Sequence, residues 1–338
     1  MATIRELAKM CGVSPATVSR VLNHDETISV SKETRKRIFE TAELVSYQKP
    51  SRSKKDDQSS YTVGLVHWFD ELQELNDPYF ISIRMGIEEL CNTHAIQLIK
   101  IFNSDTLEAN FPQVSLDGLI VLGKFPDEHI EQFKKYAPHI VFIHSNEQHF
   151  DYDCVKADFT NITLHVLQHI VDKGHTRIGF IGGHEILPFS NTPLEDEREQ
   201  TFKDYLTKIG LYNPDYVLIG SFDFHSGYTL MGQLLKSCKD HLPTCIFAAS
   251  DTLAIGALRA INEAGLSVPK DIKIIGCNDI PTSQYTSPTL STIKIYTELM
   301  GQIGIKLLLE RISGERTESL KVTVPHKIIL RESFNSFN

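Results

Sequence analysis

The stretch SPATVSRVLN, residues 14–23, concentrates hydroxyls, a small methyl, one guanidinium and one amide, and has no acid. Ala16 is small enough to touch a thymine methyl, and Arg20, one turn further on, has the reach of a guanine edge. Thr17, Ser19 and Asn23 suit phosphate oxygens, contacts that position a protein on a duplex without specifying sequence. A second group of chemistry-bearing residues lies far downstream. Arg198 offers a fork of donors for two hydroxyls, and Phe222 an apolar face for a pyranose ring. Asp251 and Asn278, at the ends of apolar runs, supply an acid and an amide able to accept from or bridge hydroxyls. Asp251 equally suits the cap of a helix starting at Thr252, so its residue type leaves both roles open.

Both groups need elements to hold them. Thr3-Ile4-Arg5-Glu6 reads as a capping box, with Leu7 and Ala8 continuing an apolar stripe and Gly12 stopping the helix. Ser14 caps a second helix with Pro15 in its first turn, and Val18, Val21 and Leu22 face inward. Ser31 caps a third helix, whose Ile38, Phe39, Ala42 and Leu44 close a small core. Two short helices joined at Cys11-Gly12-Val13 make a helix-turn-helix. Its second helix has the free N–H groups and small side chains that let an N-terminus enter a major groove. From Tyr61 onward, short β-branched runs such as TVGLV, DGLIVLG, RIGFIGG and IKIIGC alternate with helical stretches. Strands apolar on both faces and separated by helices indicate doubly wound parallel sheets, here in two similar lobes, with a ligand cleft at the carboxyl ends of the strands. The expected fold class is therefore α/β: a small all-α headpiece plus a two-lobed effector domain.

Charge separates the two parts. Eleven Lys/Arg against six Asp/Glu give residues 1–55 a charge of +5, which leaves −14 on the rest of a chain whose net charge is −9. A basic end on an acidic body implies that the end meets a polyanion and the body does not. With 41% hydrophobic residues the 338-residue chain has material for two or three cores. It shows no bilayer-spanning apolar run and no secretory leader, and six scattered cysteines without a C-x-x-C pair fit reduced thiols, so a cytoplasmic protein is expected. His165 and His169 have metal-ligand spacing but no third ligand, and no nucleotide, hydrolase or zinc-protease motif is present. No metal, no cofactor and no enzymatic activity are expected.

TIRELAKMCGVSPATVSRVLN, followed by VSKETRKRI and LVSYQ, closely resembles the DNA-binding segment of the LacI/GalR family of bacterial transcription regulators. The likeness continues through DPYF at 77–80, GHTRIGFIGG at 174–183, Arg198-x-x-x-Phe202, the run at 248–279 and PTLSTIKI at 288–295. It implies that Pro15, Ala16 and Arg20 read bases of a palindrome centred on CG. It implies that Thr3, Ser14, Thr17, Ser19, Asn23, Ser31, Thr34 and Tyr47 contact mostly the DNA backbone. It also implies a periplasmic-binding-protein-like effector domain in which Tyr79, Phe80, His144 and Ser250 join Arg198, Phe222, Asp251 and Asn278 in the cleft. Residues 67–80, which hold Trp68, look like the branch that regulates galactose or β-galactoside use in Gram-positive bacteria; other sugars remain open.

Departures from the family pattern refine these expectations. His144 and Asn278 stand where aspartates are common, which implies a different hydroxyl pattern or a pH-sensitive contact. The hinge position, where the family carries a wedging leucine, reads Ser53-Lys54-Lys55-Asp56; Arg52, Lys54 and Lys55 are expected to replace the wedge electrostatically. The expected organisation is a headpiece at 1–48, a linker at 49–60 and an effector and dimerisation domain at 61–338. Within it the N-lobe takes 61–157 and 292–320 and the C-lobe 158–291 and 321–338. The expected partners are double-stranded operator DNA, a sugar effector and a second copy of the chain, since no leucine-heptad tail of the tetrameric kind is seen.

Overall fold

The computed structural model describes residues 4–22, 28, 30–44, 61–70, 74, 77–102, 111, 114–145, 151–187 and 193–335. The chain divides into two units, Met1–Ser59 and Ser60–Asn338. The first is built from α1 (Ile4–Cys11), α2 (Pro15–Leu22) and α3 (Lys32–Leu44). Leu7, Ala8, Cys11, Val18, Val21, Ile38 and Ala42 are buried together as its core, with Leu22 and Phe39 half-buried against them. Gly12 takes a φ of +61° in the turn, a conformation that a Cβ would strain, and so lets α2 follow α1 directly.

The second unit runs β1 (Thr62–His67), α4 (Pro78–Thr93), β2 (Gln97–Ile101), β3 (Gly118–Leu122), α5 (Asp127–Phe133), β4 (Ile140–Ile143), β5 (Asp153–Ala157), α6 (Phe159–Asp172), β6 (Ile178–Gly183), β7 (Glu185–Ile186), β8 (Pro193–Leu194), α7 (Glu197–Lys208), β9 (Val217–Gly220), α8 (Phe224–Ser237), β10 (Cys245–Ala248), α9 (Asp251–Glu263), β11 (Lys273–Ile275), β12 (Thr292–Ile295), α10 (Thr297–Ile312), β13 (Lys321–Val324) and β14 (His326–Ile329). A six-stranded parallel sheet, ordered β13-β5-β4-β3-β1-β2, forms the N-lobe, and a four-stranded parallel sheet, β11-β10-β6-β9, the C-lobe. Every residue of β3 and β4 is buried, because helices cover both faces of a parallel sheet.

The lobe boundary differs from the one expected near the C-terminus. Lys321–Val324, expected in the C-lobe, pairs in parallel register with Cys154–Ala157 and closes the β5 edge of the N-lobe sheet. Thr292–Ile295, expected in the N-lobe, pairs instead with His326–Ile329 and hydrogen-bonds the C-lobe, Asn278 N–H donating to the Ile293 carbonyl at 2.8 Å. The chain thus crosses between lobes at β12 and again at β14. An open sheet edge needs a partner for its backbone groups, and β13 supplies it along β5.

Candidate functional site

In the first unit, local hydrogen bonds fix the ends of α2 and α3. The Ser14 hydroxyl accepts from Thr17 N–H at 3.1 Å and lies 2.8 Å from the Thr17 hydroxyl. Ser31 repeats the arrangement with Thr34 at 3.2 Å and 2.9 Å. Ser14, Pro15, Arg20 and Ser31 are exposed, and Thr17, Ser19 and Thr34 half-buried, so the α2 N-terminal turn presents hydroxyls and N–H groups to solvent beside Arg20. Thr3, Asn23, Tyr47, Arg52, Lys54 and Lys55, and the side chain of Ala16, lie outside the described residues.

In the second unit, a cavity enclosing about 500 Å³ between atoms, its mouth included, opens at the carboxyl ends of the strands of both lobes. Tyr79, Phe80, His144, Arg198, Phe222, Ser250 and Asn278 all line it. Each arrives from an element end. Asp77 caps α4 by accepting from Tyr79 N–H at 3.0 Å, with Pro78 next in line, and this aims the first turn of α4 into the cleft. His144 follows β4 at φ +58° and Asn278 follows β11 at φ +112°, turning both side chains off their strands. Ser250 caps α9, its hydroxyl accepting from Leu253 N–H at 3.2 Å. Two glycines make room for rings. A Cβ on Gly183 would sit 2.5 Å from the Phe222 ring, and one on Gly123, at φ +111°, 2.3 Å from Trp68 Cβ.

Asp251 behaves differently from either role its type suggested. It is fully buried, does not line the cavity and does not cap α9, a task taken by Ser250. Its carboxylate accepts from Ile280 N–H at 2.8 Å and from the Thr292 hydroxyl at 2.5 Å, tying the Asn278 loop to the crossover strand β12. Burial pushes its carboxyl up to about 7.

Arg198 also departs from expectation. Its fork is largely committed to the protein. Nε and Nη2 donate to Asp196, at 2.8 Å and 2.5 Å, Nη1 donates to the Ala249 carbonyl at 2.9 Å, and Nη2 lies 3.5 Å from Glu185 Oε1. Its guanidinium carbon lies over the Phe159 and Phe222 rings, 4.5 Å and 4.8 Å from their centres. Burial pushes Asp196 up, but the Arg198 charge and hydrogen bonds outweigh it and hold the carboxyl below its ordinary range. Burial likewise lowers Arg198, and the Asp196 charge more than restores it.

His144 is buried, with Nδ1 3.0 Å from the Tyr79 hydroxyl. Burial, reinforced by Lys124 and Arg198, depresses it well below the ordinary imidazole value. The imidazole is therefore neutral at physiological pH, and a pH-sensitive contact there does not follow. His144 Nε2 and Asn278 Oδ1 are buried polar atoms without a hydrogen-bond partner among the described residues, an arrangement that a bound hydroxylated molecule would relieve.

Sequence reasoning missed several lining residues: Phe69, Asp77, Phe159, His184, Glu185 and Thr252. Trp68 was noticed but not placed in the cleft, which it lines while its indole N–H donates to the Ile186 carbonyl at 3.1 Å. Glu185 pairs with Lys124 across the lobes. An N-D-P and an E-D-E-R string both contain a cap aspartate before an aromatic or basic first turn, a signal available for Asp77 and Asp196; Glu185 sits on a two-residue strand with no sequence signature. His165 faces His326, their ring nitrogens 2.9 Å apart, and no group of three or more metal-capable side chains occurs among the described residues.

Comparison with known proteins follows the same division. The signature of bacterial regulatory proteins of the lacI family matches residues 3–50, and that of a periplasmic binding protein-like domain residues 167–334. The chain is 37% identical to the HTH-type transcriptional repressor MelR of Bacillus subtilis, over 98% of this chain and 97% of that protein. It is 35% identical to the HTH-type transcriptional regulator GalR of Streptococcus thermophilus, over 98% and 99%. Among solved structures, a transcriptional regulator CelR–cellobiose complex superposes with a TM-score of 0.69 at 26% identity, covering 98% of this chain and all of the other. The lac repressor dimer bound to operator and the anti-inducer ONPF superposes with a TM-score of 0.68 at 23% identity, over 99% of each chain, and shares the fold.

Proposed function

The chain belongs to the LacI family of DNA-binding transcription regulators, and on that premise we propose that it represses a sugar-utilisation operon by binding a palindromic operator as a homodimer and is released by a small sugar, galactose or a galactoside. The observation that carries the sugar reading is the cleft itself. Trp68, Phe80 and Phe222 offer apolar faces for ring C–H groups, while His144 Nε2 and Asn278 Oδ1 stand unpaired between them. A relative of known structure holds cellobiose. Tyr79, Phe80, His144, Arg198, Phe222, Ser250 and Asn278 hold the effector in this reading, Arg198 mainly as a rigid platform between its aromatic neighbours.

Pro15, Ala16 and Arg20 read base edges, and the hydroxyls of Ser14, Thr17, Ser19, Ser31 and Thr34, with Thr3, Asn23 and Tyr47, position the headpiece on phosphates. Two-fold protein symmetry matches a palindrome of two half-sites. Effector binding changes the lobe arrangement and opposes operator binding by about 1–3 kcal/mol. Arg52, Lys54 and Lys55 act in the hinge by charge, each phosphate contact adding about 0.9 to the log–log salt slope.

Fluorescence anisotropy of a labelled palindrome with a central CG tests this at fixed salt, with galactose, lactose, cellobiose and glucose added in turn. Tight binding released by one sugar is the expected outcome. Tight binding indifferent to every sugar overturns the effector assignment, and no binding at low salt overturns the repressor reading. Lys54→Ala/Lys55→Ala should lower the salt slope by about 2; an unchanged slope removes the hinge from the DNA contact.

A further inference from the structure

The cleft carries charge that the binding of a neutral sugar does not call for. Glu185 projects from the short strand β7 of the C-lobe and is 8% exposed. It pairs with Lys124, which follows β3 of the N-lobe, and approaches Arg198 Nη2 at 3.5 Å and His144 Nε2 at 3.9 Å. The neighbouring Ile186 carbonyl receives the Trp68 indole N–H, so β7 is held to the N-lobe at two adjacent residues. Its carboxylate therefore stays at the cavity wall.

The Lys and Arg side chains at the cavity are already paired with carboxylates, and His184 also lines it. Arg198 gives most of its donors to Asp196, Ala249 and Glu185, and its guanidinium carbon lies over two aromatic rings. Lys124 is neutralised by Glu185. His144 is held neutral by burial and by those same two cations. Asp77, also lining the cavity, is raised by burial only to about 6 and so adds negative charge at neutral pH. A phosphate group needs uncommitted N–H donors or a spare positive charge. Here an entering phosphate would meet cations already engaged by Glu185 and Asp196, with the Asp77 carboxyl beside them. A sugar hydroxyl, by contrast, is a donor that a carboxylate accepts well.

We propose that Glu185 makes this cleft select an uncharged polyhydroxylated effector and reject its phosphorylated form, with Lys124 setting how strongly it does so. The proposal rests on the sugar reading of the cleft and narrows it to the neutral class. The Lys124 and Arg198 charges beside Glu185 offset part of its repulsion of a phosphate, leaving a net weakening of binding of about tenfold.

Isothermal titration of the full chain with galactose, lactose and cellobiose, and with galactose 1-phosphate and galactose 6-phosphate, tests it. The wild-type chain should bind a neutral sugar and take the phosphates about tenfold more weakly. Glu185→Gln keeps shape and removes charge; it should shift the ratio of phosphate to neutral-sugar affinity towards phosphate by about tenfold. Lys124→Gln should move the ratio the other way, weakening phosphate further, which keeps the test decisive if Glu185→Gln does not fold. Phosphate binding equal to that of the neutral sugar in the wild-type chain, or a ratio unmoved by both substitutions, overturns the role of Glu185 and leaves the sugar reading standing. Binding of neither class overturns the sugar reading and this proposal with it.

Discussion

The headpiece and the cleft carry their chemistry in opposite ways. In the first, the described candidate contacts fall on α2 and at the starts of α2 and α3, exposed or half-buried, with the helix starts fixed by hydrogen bonds that span three residues, Ser14 to Thr17 and Ser31 to Thr34. In the second, Trp68, His144, Arg198 and Asn278 come from four separate strand or helix ends, and the first three are joined through the Trp68–His144 ring contact and the buried Glu185 carboxylate. Exposed local contacts are worth little each and act independently. A buried network acts as a unit, because removing one partner strands the others without water to solvate them.

Four substitutions sharpen that contrast. Arg198→Ala leaves Asp196 buried without its cation and should cost about 3–5 kcal/mol of effector-domain stability. Trp68, the only tryptophan, lies in the cleft and reports the loss by fluorescence during urea unfolding. A loss no larger than that of a surface ion pair would show that the network is not a unit.

Asp251→Asn removes a group whose folded pKa is raised to about 7 from 3.8. The stability contributed by a raised carboxyl is fully present below its unfolded value and is lost as pH rises through the folded one. Wild type should therefore gain on Asp251→Asn as pH falls from 8 to 5, on the order of 2 kcal/mol. The depressed His144 favours the opposite trend, but it is present in both chains and cancels in the difference. A difference independent of pH would mean that Asp251 is not titrating in this window.

Gly183→Ala places a Cβ 2.5 Å from the Phe222 ring and should cost about 1–2 kcal/mol, with Phe222 displaced from Arg198. Effector affinity should fall while effector-free operator binding stays, read by titrating the sugar against preformed operator complex. Loss of both together would place Gly183 in the general fold and not in the site. Ser14→Ala has the smallest effect. Loss of one exposed cap costs about 1 kcal/mol, confined to the headpiece. Operator affinity should drop with the Trp68 unfolding curve unchanged; a shifted curve would show that the two units do not unfold independently.

How far the sequence reached follows the same line. It determined the three headpiece helices, because caps at Ser14 and Ser31 and the inward Val18, Val21 and Ile38 are local signals on a 3.6-residue period. It also determined the α/β alternation and the presence of a cleft at the strand ends, since apolar β-branched runs and the helices between them are each written within a few residues. Only the tertiary structure decided that Asp251 ties a loop to β12, that Arg198 spends its donors on Asp196 and Ala249, that Glu185 enters the cleft, and that β13 completes the N-lobe sheet. Each of those outcomes depends on which backbone or charge lies opposite, tens to hundreds of residues away. A side chain's type limits what it can bind, but burial and the partners available at that point in space decide what it does bind.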